Sequence, residues 1–285
     1  MDLDLRKLRY FAALAEHLHF GRAAESLYIA QPVLSRQIRA LEQELGCTLL
    51  ERTTRSVQLT PSGAQLYEEA RGLFTTIDSA VRRVREVDRG VERLVVGFAS
   101  GLRVSTALRA FAESRPEVEV ELFQLKWWER ELPLRDGRAD VGYLRRPFDG
   151  TGLRTVTVAT EPKVACLPVA HRLAGSPAAD RPLLEADLVG EPAIGAQVRR
   201  TASIEEKFEL VASGHGIAVV PRGVAQVYSR PDLIYRQVMD AEPVEICVAV
   251  PENRRERRVR EFAQLAAAVL REAWGEPERR DITRV

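Results

Sequence analysis

Apolar positions fall at helical spacing from the start of the chain. Leu5, Leu8, Phe11, Ala12, Ala15 and Leu18 share one stripe, and Arg6, Arg9 and Glu16 lie off it. That pattern predicts an amphipathic helix with one buried face. Ala23 to Leu27 spans a second, shorter helix and Tyr28-Ile29-Ala30 a connection. Gln31-Pro32 opens a third helix that runs to Leu45 and ends at Gly46, a residue suited to the left-handed conformation at a helix terminus. Two short helices joined by about three residues make the outline of a helix-turn-helix. Ala24 is small where those helices would cross, and Leu27, Ile29, Leu34 and Ile38 stand where such a unit needs a core. Leu49 to Leu59 then gives two short apolar stretches around a polar, basic tip, the pattern of a small β wing.

A long helix follows, started by Thr60 as N-cap and Pro61 at the first helical position, with no breaker except the tolerated Gly72 before Gly90. Its apolar residues Leu66, Ala70, Leu73, Ile77, Ala80, Val84 and Val87 recur at intervals of 4, 3, 4, 3, 4 and 3, a heptad seam, while Glu68, Arg71, Asp78, Arg82, Arg83 and Arg85 keep the other faces wet. The seam predicts a partner helix, most simply the same helix of a second subunit. Packing on the chain's own downstream domain is the alternative.

From residue 91 the period changes. Leu94 to Phe98, Val118 to Leu125 and Asp140 to Leu144 read as strands, with a helix from Val104 to Ala112 ended by Pro116. A second set follows: strands at Val164 to Leu167, Ala193-Ile194, Ile217 to Val220, Leu233 to Tyr235 and Val244 to Val250, a helix from Ser203 to Ser213 closed by Gly214, and a last helix from Glu256 to Trp274. Strands alternating with helices predict an α/β domain with a mostly parallel sheet. At about 150 residues per domain, 285 residues hold roughly two domains, so the chain divides into residues 1–60, a helix-turn-helix with wing, 61–90, a linker and dimerisation helix, 91–275, the α/β domain, and 276–285, a polar tail.

Composition is that of an ordinary globular chain, 45% hydrophobic and 29% charged. Forty-two Lys plus Arg against 41 Asp plus Glu leave a net charge of +1, so nucleic-acid binding must rest on a local motif. The free face of the third helix supplies one. Gln31, Ser35, Arg36 and Arg39 share it, and Arg and Gln are the side chains that pair bidentately with guanine and adenine in a major groove. Two arginines can also merely solvate a helix, but here the core pattern independently turns them outward. Arg52, Thr53, Thr54 and Arg55 at the wing suit phosphates or a minor groove. Cys47, Cys166 and Cys247 are odd in number and widely spaced, which predicts neither a disulfide framework nor a metal site. The start lacks a leader pattern and no apolar run approaches the roughly 18 residues of a membrane span, so a soluble, cytoplasmic protein without cofactor is expected.

With helix-turn-helix, wing and heptad helix in place, the chain closely resembles the LysR-type transcriptional regulators. RAAESL, QPVLSRQIRALE, LLERT and LTPSG follow in order between Arg22 and Gly63, and the looser VVGF, RPEVEVEL, DGRADVGYL and LVASGHGIAVVP carry the likeness through the rest. The resemblance implies a two-lobed effector domain like the periplasmic binding proteins, behind an all-α winged helix-turn-helix. It implies double-stranded DNA and a small molecule as partners, and a dimer that pairs again into a tetramer. Carried over by position, Gln31, Pro32, Ser35 and Arg36 become recognition-helix contacts, and Arg52, Thr53 and Arg55 form the wing. It also implies an effector cleft at Ser100 and Gly101, where a strand gives way to a helix whose free N–H groups would hold an anion. Arg103, Lys126, Trp127, Tyr143, Arg145 and Ile194 are further wall candidates by the same geometry. Two departures stand out: the second lobe is short between Leu188 and Gly214, and bulky Lys126-Trp127-Trp128 stands where small residues are common in the family.

Two other functional classes compete. An enzyme would use Cys166, Cys247, His171 or His215, none of which lies in a catalytic motif. A regulator with a partly filled cleft would need no small molecule, responding instead to dose, a protein partner or oxidation of Cys166 or Cys247.

Overall fold

A computed structural model describes residues 3–52, 56–175, 181–195 and 203–274. The chain forms two compact units, Met1–Arg82 and Arg83–Val285, and their boundary lies inside one helix. Thr53, Thr54 and Arg55 of the expected wing, and the expected tail, lie outside the described residues.

The first unit contains α1 (Leu5–His17), α2 (Phe20–Ser26), α3 (Gln31–Leu45), β1 (Leu50–Arg52), β2 (Val57–Leu59) and the start of α4 (Pro61–Asp88). Local chemistry fixes the ends. Asp4 caps α1 by accepting from the Arg6 N–H at 2.8 Å, and Gly46 closes α3 at φ +66°. The expected core forms, with Phe11, Leu14, Ala24, Leu34, Ile38, Leu41 and Leu49 buried together and Leu27, Ile29 and Leu66 packed against them. Thr60 Oγ1 accepts from the Gly63 N–H at 3.0 Å and donates to the Thr48 carbonyl at 2.8 Å, joining the head of α4 to the wing. Gly63 is required there, because a Cβ would stand 2.0 Å from the Leu49 carbonyl oxygen.

Glu42 on α3 locks the wing base. One carboxylate oxygen accepts from the Leu49 and Leu50 N–H groups at 3.0 and 3.3 Å, and the other pairs with Arg52 at 2.8 Å. The same guanidinium lies over the Phe20 ring, 5.1 Å from its centroid. Arg52 is thus occupied as a clamp between α2, α3 and β1, which corrects the expectation that it reaches out to phosphate.

The second unit holds two sheets. The first, in the order β4-β3-β5-β10-β6, comprises β3 (Arg93–Ala99), β4 (Glu119–Leu125), β5 (Val141–Arg145), β6 (Leu153–Glu161) and β10 (Val244–Pro251). β3 runs parallel to β4 and β5, whereas β10 is antiparallel to both neighbours. Helices α5 (Ser105–Ser114) and α9 (Arg257–Trp274) cover one face, where Phe111 and Phe262 meet edge to face at 5.2 Å, and the single-turn α6 (Leu132–Arg135) packs Leu134 with Leu144 and Ala249. The second sheet, β8-β7-β9, comprises β7 (Lys163–Pro168), β8 (Ala218–Pro221) and β9 (Leu233–Gln237), all antiparallel. Val164 and Cys166 of β7 point into one cluster with α7 (Ile204–Ala212) and α8 (Arg222–Val227), and Ala165 and Leu167 into another on the opposite face.

Three expectations change. Among the described strands parallel pairing is confined to the first sheet, because the chain returns across both lobes, β6 leading into β7 and β10 coming back after β9; in the second lobe the isolated bridges Leu183–Val238 and Ala193–Ile217 are parallel. The pattern also assigned no strand between Leu144 and Val164, yet β6 occupies nine residues there, paired with β10 through a register shift at Ile246/Cys247. Among the described residues, Ala193 and Ile194 form no strand beyond a single bridge from Ala193 to Ile217.

Candidate functional site

The free face of α3 is open. Gln31, Pro32, Arg36 and Arg39 are exposed and Ser35 is half-buried, while Leu34, Ile38 and Leu41 fill the core behind them. Elsewhere in this unit arginines are engaged: Arg52 by Glu42 and Phe20, Arg22 by the His17 carbonyl at 2.9 Å, and Arg9 by the Phe74 ring at 5.3 Å. Arg36 and Arg39 have no partner among the described residues. Two guanidiniums with their donors unused, beside the amide of Gln31, form a surface able to take phosphate oxygens or base edges.

On α4 the heptad positions divide. Leu66 packs on the helix-turn-helix core and Ala70 is fully buried, flanked by Tyr67 and Phe74, which contact Glu16 and Arg9 of α1. Ile77 and Ala80 are half-buried, whereas Leu73, Val84 and Val87 are 48, 70 and 81% exposed. The apolar stripe is therefore spent inside the first unit at its start and uncovered at its end.

In the second unit, Ser100, Gly101 and Arg145 come together where the lobes touch. Arg145 donates to the Glu161 carboxylate and to the Ser100 carbonyl, and the other Glu161 oxygen accepts from the Gly223 N–H at 2.9 Å. Glu161 is wholly buried and Arg145 nearly so, and the Arg145 Nη2 has no hydrogen-bond partner among the described residues. Gly101, at φ +80°, lies directly on the second lobe: a Cβ there would stand 2.5 Å from the Val224 nitrogen and 2.6 Å from the Gly223 carbonyl carbon. At the rim, the Gln124 side-chain amide donates to Ser100 Oγ at 2.7 Å and to the Tyr228 hydroxyl at 3.2 Å. Burial pushes the Tyr228 phenol up, its bond from Gln124 opposes this, and its bond with Glu205 adds to it. Gln124, Glu161, Gly223, Tyr228 and Glu205 were not anticipated.

Several anticipated residues serve otherwise. Ser100 and Gly101 form a turn in which the Leu102 N–H donates to the Ala99 carbonyl at 3.1 Å, and α5 begins only at Ser105. No helix N-terminus therefore stands at Ser100, which corrects that basis for an anion site. Tyr143 is fully buried beside Phe262, because strand alternation turns its side chain inward, and Ile194 lies in the second lobe's core beside the bridge from Ala193 to Ile217. They are core residues and not cleft walls. Arg103 is exposed; Lys126 lies over the Trp128 ring at 5.5 Å, and Trp127 stands edge to face with Trp128, both tryptophans partly exposed.

The rival chemistries find little support. Ser213 Oγ donates to the Glu209 carbonyl at 2.7 Å, so its 2.8 Å contact with His215 Nδ1 makes the hydroxyl an acceptor and the imidazole the donor, the reverse of nucleophile activation. His171 accepts from the Leu173 N–H at 3.2 Å through Nδ1, which leaves Nε2 to donate to Glu191 at 3.1 Å. Cys166 and Cys247 are buried; desolvation pushes the first thiol to about 12 and raises the second, so neither is a thiolate poised for oxidation. Among the described residues no cluster of metal-binding side chains occurs, and no helix is long and apolar enough to cross a membrane.

Comparison with known proteins gives a consistent picture. Residues 5–64 match the bacterial regulatory helix-turn-helix protein, lysR family, and residues 88–271 match the LysR substrate binding domain. A probable cat1 operon transcriptional activator of Acinetobacter lwoffii is 30% identical over 96% of this chain and 97% of its own. The uncharacterized HTH-type transcriptional regulator YnfL of Escherichia coli is 40% identical over 62% of this chain and 61% of its own length. Among solved structures, full-length BenM superposes with a TM-score of 0.54 at 25% identity, covering 97% of this chain and all of the other. CbnR in complex with its target DNA reaches 0.62 at 24% identity, covering 93% of this chain and 99% of the other, a likeness of fold.

The lobe contact makes a direct test. Gly101→Ala adds a methyl against backbone atoms at a positive φ, and should destabilise the second unit by about 2 to 4 kcal/mol. Gly150→Ala, whose methyl meets open space, should change it little. All three tryptophans lie in this unit, so urea titration of their fluorescence reports it; equal midpoints for the two variants would contradict the packing described.

Proposed function

The chain belongs to the LysR family of bacterial transcriptional regulators, and on that premise we propose how its own residues divide the work. Gln31 and Arg36 read base edges in the major groove, Pro32 and Ser35 pack on the same groove, and Arg39 takes a phosphate. Thr53, Thr54 and Arg55 are proposed as the phosphate-contacting tip of the wing, with Arg52 as its anchor. The observation that carries this reading is the pair of unpartnered guanidiniums on the open face of a helix whose other face is the domain core. The protein acts in the cytoplasm and catalyses no reaction of its own.

The exposed end of the α4 stripe, Leu73, Ile77, Ala80, Val84 and Val87, pairs with its copy to make a dimer, and the family's habit extends this to a tetramer. The effector is a small anion that enters between the lobes beside Ser100. There it replaces the Gln124–Tyr228 bridge and reaches the unsatisfied Nη2 of Arg145, a donor with nothing else to bind.

Three measurements test these assignments. Arg36→Ala should cost about 1 to 3 kcal/mol at the base it reads and collapse the difference between operator and random duplex in gel-shift competition; unchanged discrimination would remove Arg36 from the reading. Val84→Asp changes a residue that is 70% exposed in the single chain, so the fold should survive while light scattering reports smaller particles; wild-type mass would count against the seam. A panel of small carboxylates should yield one that raises the melting temperature, since a ligand stabilises by RT ln(1 + [L]/Kd), and Ser100→Trp should cancel that rise. Stabilisation that survives the tryptophan would put the ligand elsewhere.

A further inference from the structure

Tyr28 sits in the turn between α2 and α3 at φ +56°, and its side chain is 96% exposed. The turn is a double closure of the α2 terminus. The Tyr28 N–H donates to the Glu25 carbonyl at 3.1 Å and the Ile29 N–H to the Ala24 carbonyl at 3.0 Å, with Ile29 packed on the core beyond. The left-handed position of such a closure favours glycine or asparagine, and a tyrosine strains it. Strain of this kind is ordinarily offset by packing, yet the Tyr28 side chain is almost wholly exposed and makes no hydrogen bond or ring contact with any described residue. The fold gains nothing from an aromatic side chain here, at the cost of both backbone strain and a ring left in water.

What the turn does offer is position. Tyr28 stands three residues before Gln31, the first residue of α3. A recognition helix enters the groove with its N-terminal half, so the turn leading into it runs beside the phosphates that border the groove. Tyrosine hydroxyls donate to such phosphates, fixing register without reading sequence.

We propose that Tyr28 is a DNA-contacting residue whose hydroxyl donates a hydrogen bond to a backbone phosphate at the entry of α3. The inference rests on the assignment of α3 as the recognition helix and adds a contact outside it. The positive φ turns the ring away from the core and leaves the hydroxyl free to reach that phosphate, which accounts for the strained backbone and the exposed ring together.

The test uses the full chain, with duplexes selected from a randomised pool and scrambled controls, in fluorescence anisotropy. Tyr28→Phe and Tyr28→Asn should bind both duplexes about three- to tenfold more weakly, by the same factor, so that discrimination is kept. The slope of affinity against salt should stay at the wild-type value, because a neutral hydroxyl displaces no counterion. Tyr28→Asn should melt no lower than wild type, since asparagine tolerates the left-handed backbone, which shows that the loss is not unfolding. Arg36→Ala, run alongside, should lose discrimination instead. Wild-type affinity for Tyr28→Phe with a clear effect of Arg36→Ala would overturn Tyr28 alone, and no effect from either would overturn the assignment of α3 as well.

Discussion

The second unit depends on one close approach. Two backbones meet at Gly101 and Gly223 with no side chain between them, and around that contact Arg145, Glu161 and the Ser100 carbonyl form a buried polar cluster. Apolar packing could hold two lobes together at many separations, because it is not directional. A buried ion pair holds them at one, because Glu161 is served by a guanidinium from the first lobe and a backbone N–H from the second. Separating the lobes therefore strips half the partners from a wholly buried carboxylate, which is costly unless water or a ligand replaces them. Glu161 also ends β6, one residue before the chain crosses into the second lobe, so the contact and the crossing are built from the same stretch of sequence.

The first unit shows the same economy of charge with the opposite outcome. Glu42 consumes one arginine and two backbone donors to fix the wing to α3, and aromatic rings cover Arg9 and Arg52. What remains unspent is Arg36 and Arg39, on the face that the core of α3 cannot use. In a chain of net charge +1 a cationic surface must be local, and here it is set off by neighbours that are engaged, Arg52 by Glu42, Arg22 by a carbonyl and Arg9 by an aromatic ring. The division between engaged and free arginines therefore carries more information about DNA binding than the count of basic residues.

Legibility followed the range of the interactions involved. Helix caps, the αL glycine after α3 and the 3.6 period are local, and α1, α3, α4 and their core emerged from them with boundaries close to those observed. Arg52 was misread because its partner lies ten residues earlier on another element, and a basic residue near a wing looks the same whether free or clamped. The strand β6 was overlooked although Thr155 to Thr160 alternates β-branched residues between Gly152 and Pro162, a signal present in the sequence but interrupted by the register shift at Val158. Position in the chain points Tyr143 and Ile194 toward the cleft, but strand alternation sends Tyr143 into one core and Ile194 packs in the other. The lobe contact itself was only half visible: Ser100, Gly101 and Arg145 were anticipated, but Gly223 is 62 residues from its partner Glu161 and Tyr228 is 104 from Gln124. No spacing rule spans such separations, and a lone glycine at a helix start or tyrosine at a helix end carries no mark of what it will face.

These two halves have a thermodynamic connection that follows from the contact at Gly101. A ligand changes an equilibrium only by binding its states unequally, and typical couplings amount to about 1 to 3 kcal/mol. A site fully formed between fixed lobes would bind its ligand without distinguishing any two arrangements. Here the hydrogen-bonding groups at the rim already satisfy one another, Gln124 with Ser100 and Tyr228, while Arg145 Nη2 stays unsatisfied beneath the Gly223 backbone. At the site proposed above, an effector would break the first set to reach the second, and its binding would then differ between closed and parted lobes by the worth of those bonds. The exchange of one or two hydrogen bonds against one charge-assisted bond is of the same size as the coupling that a regulator needs.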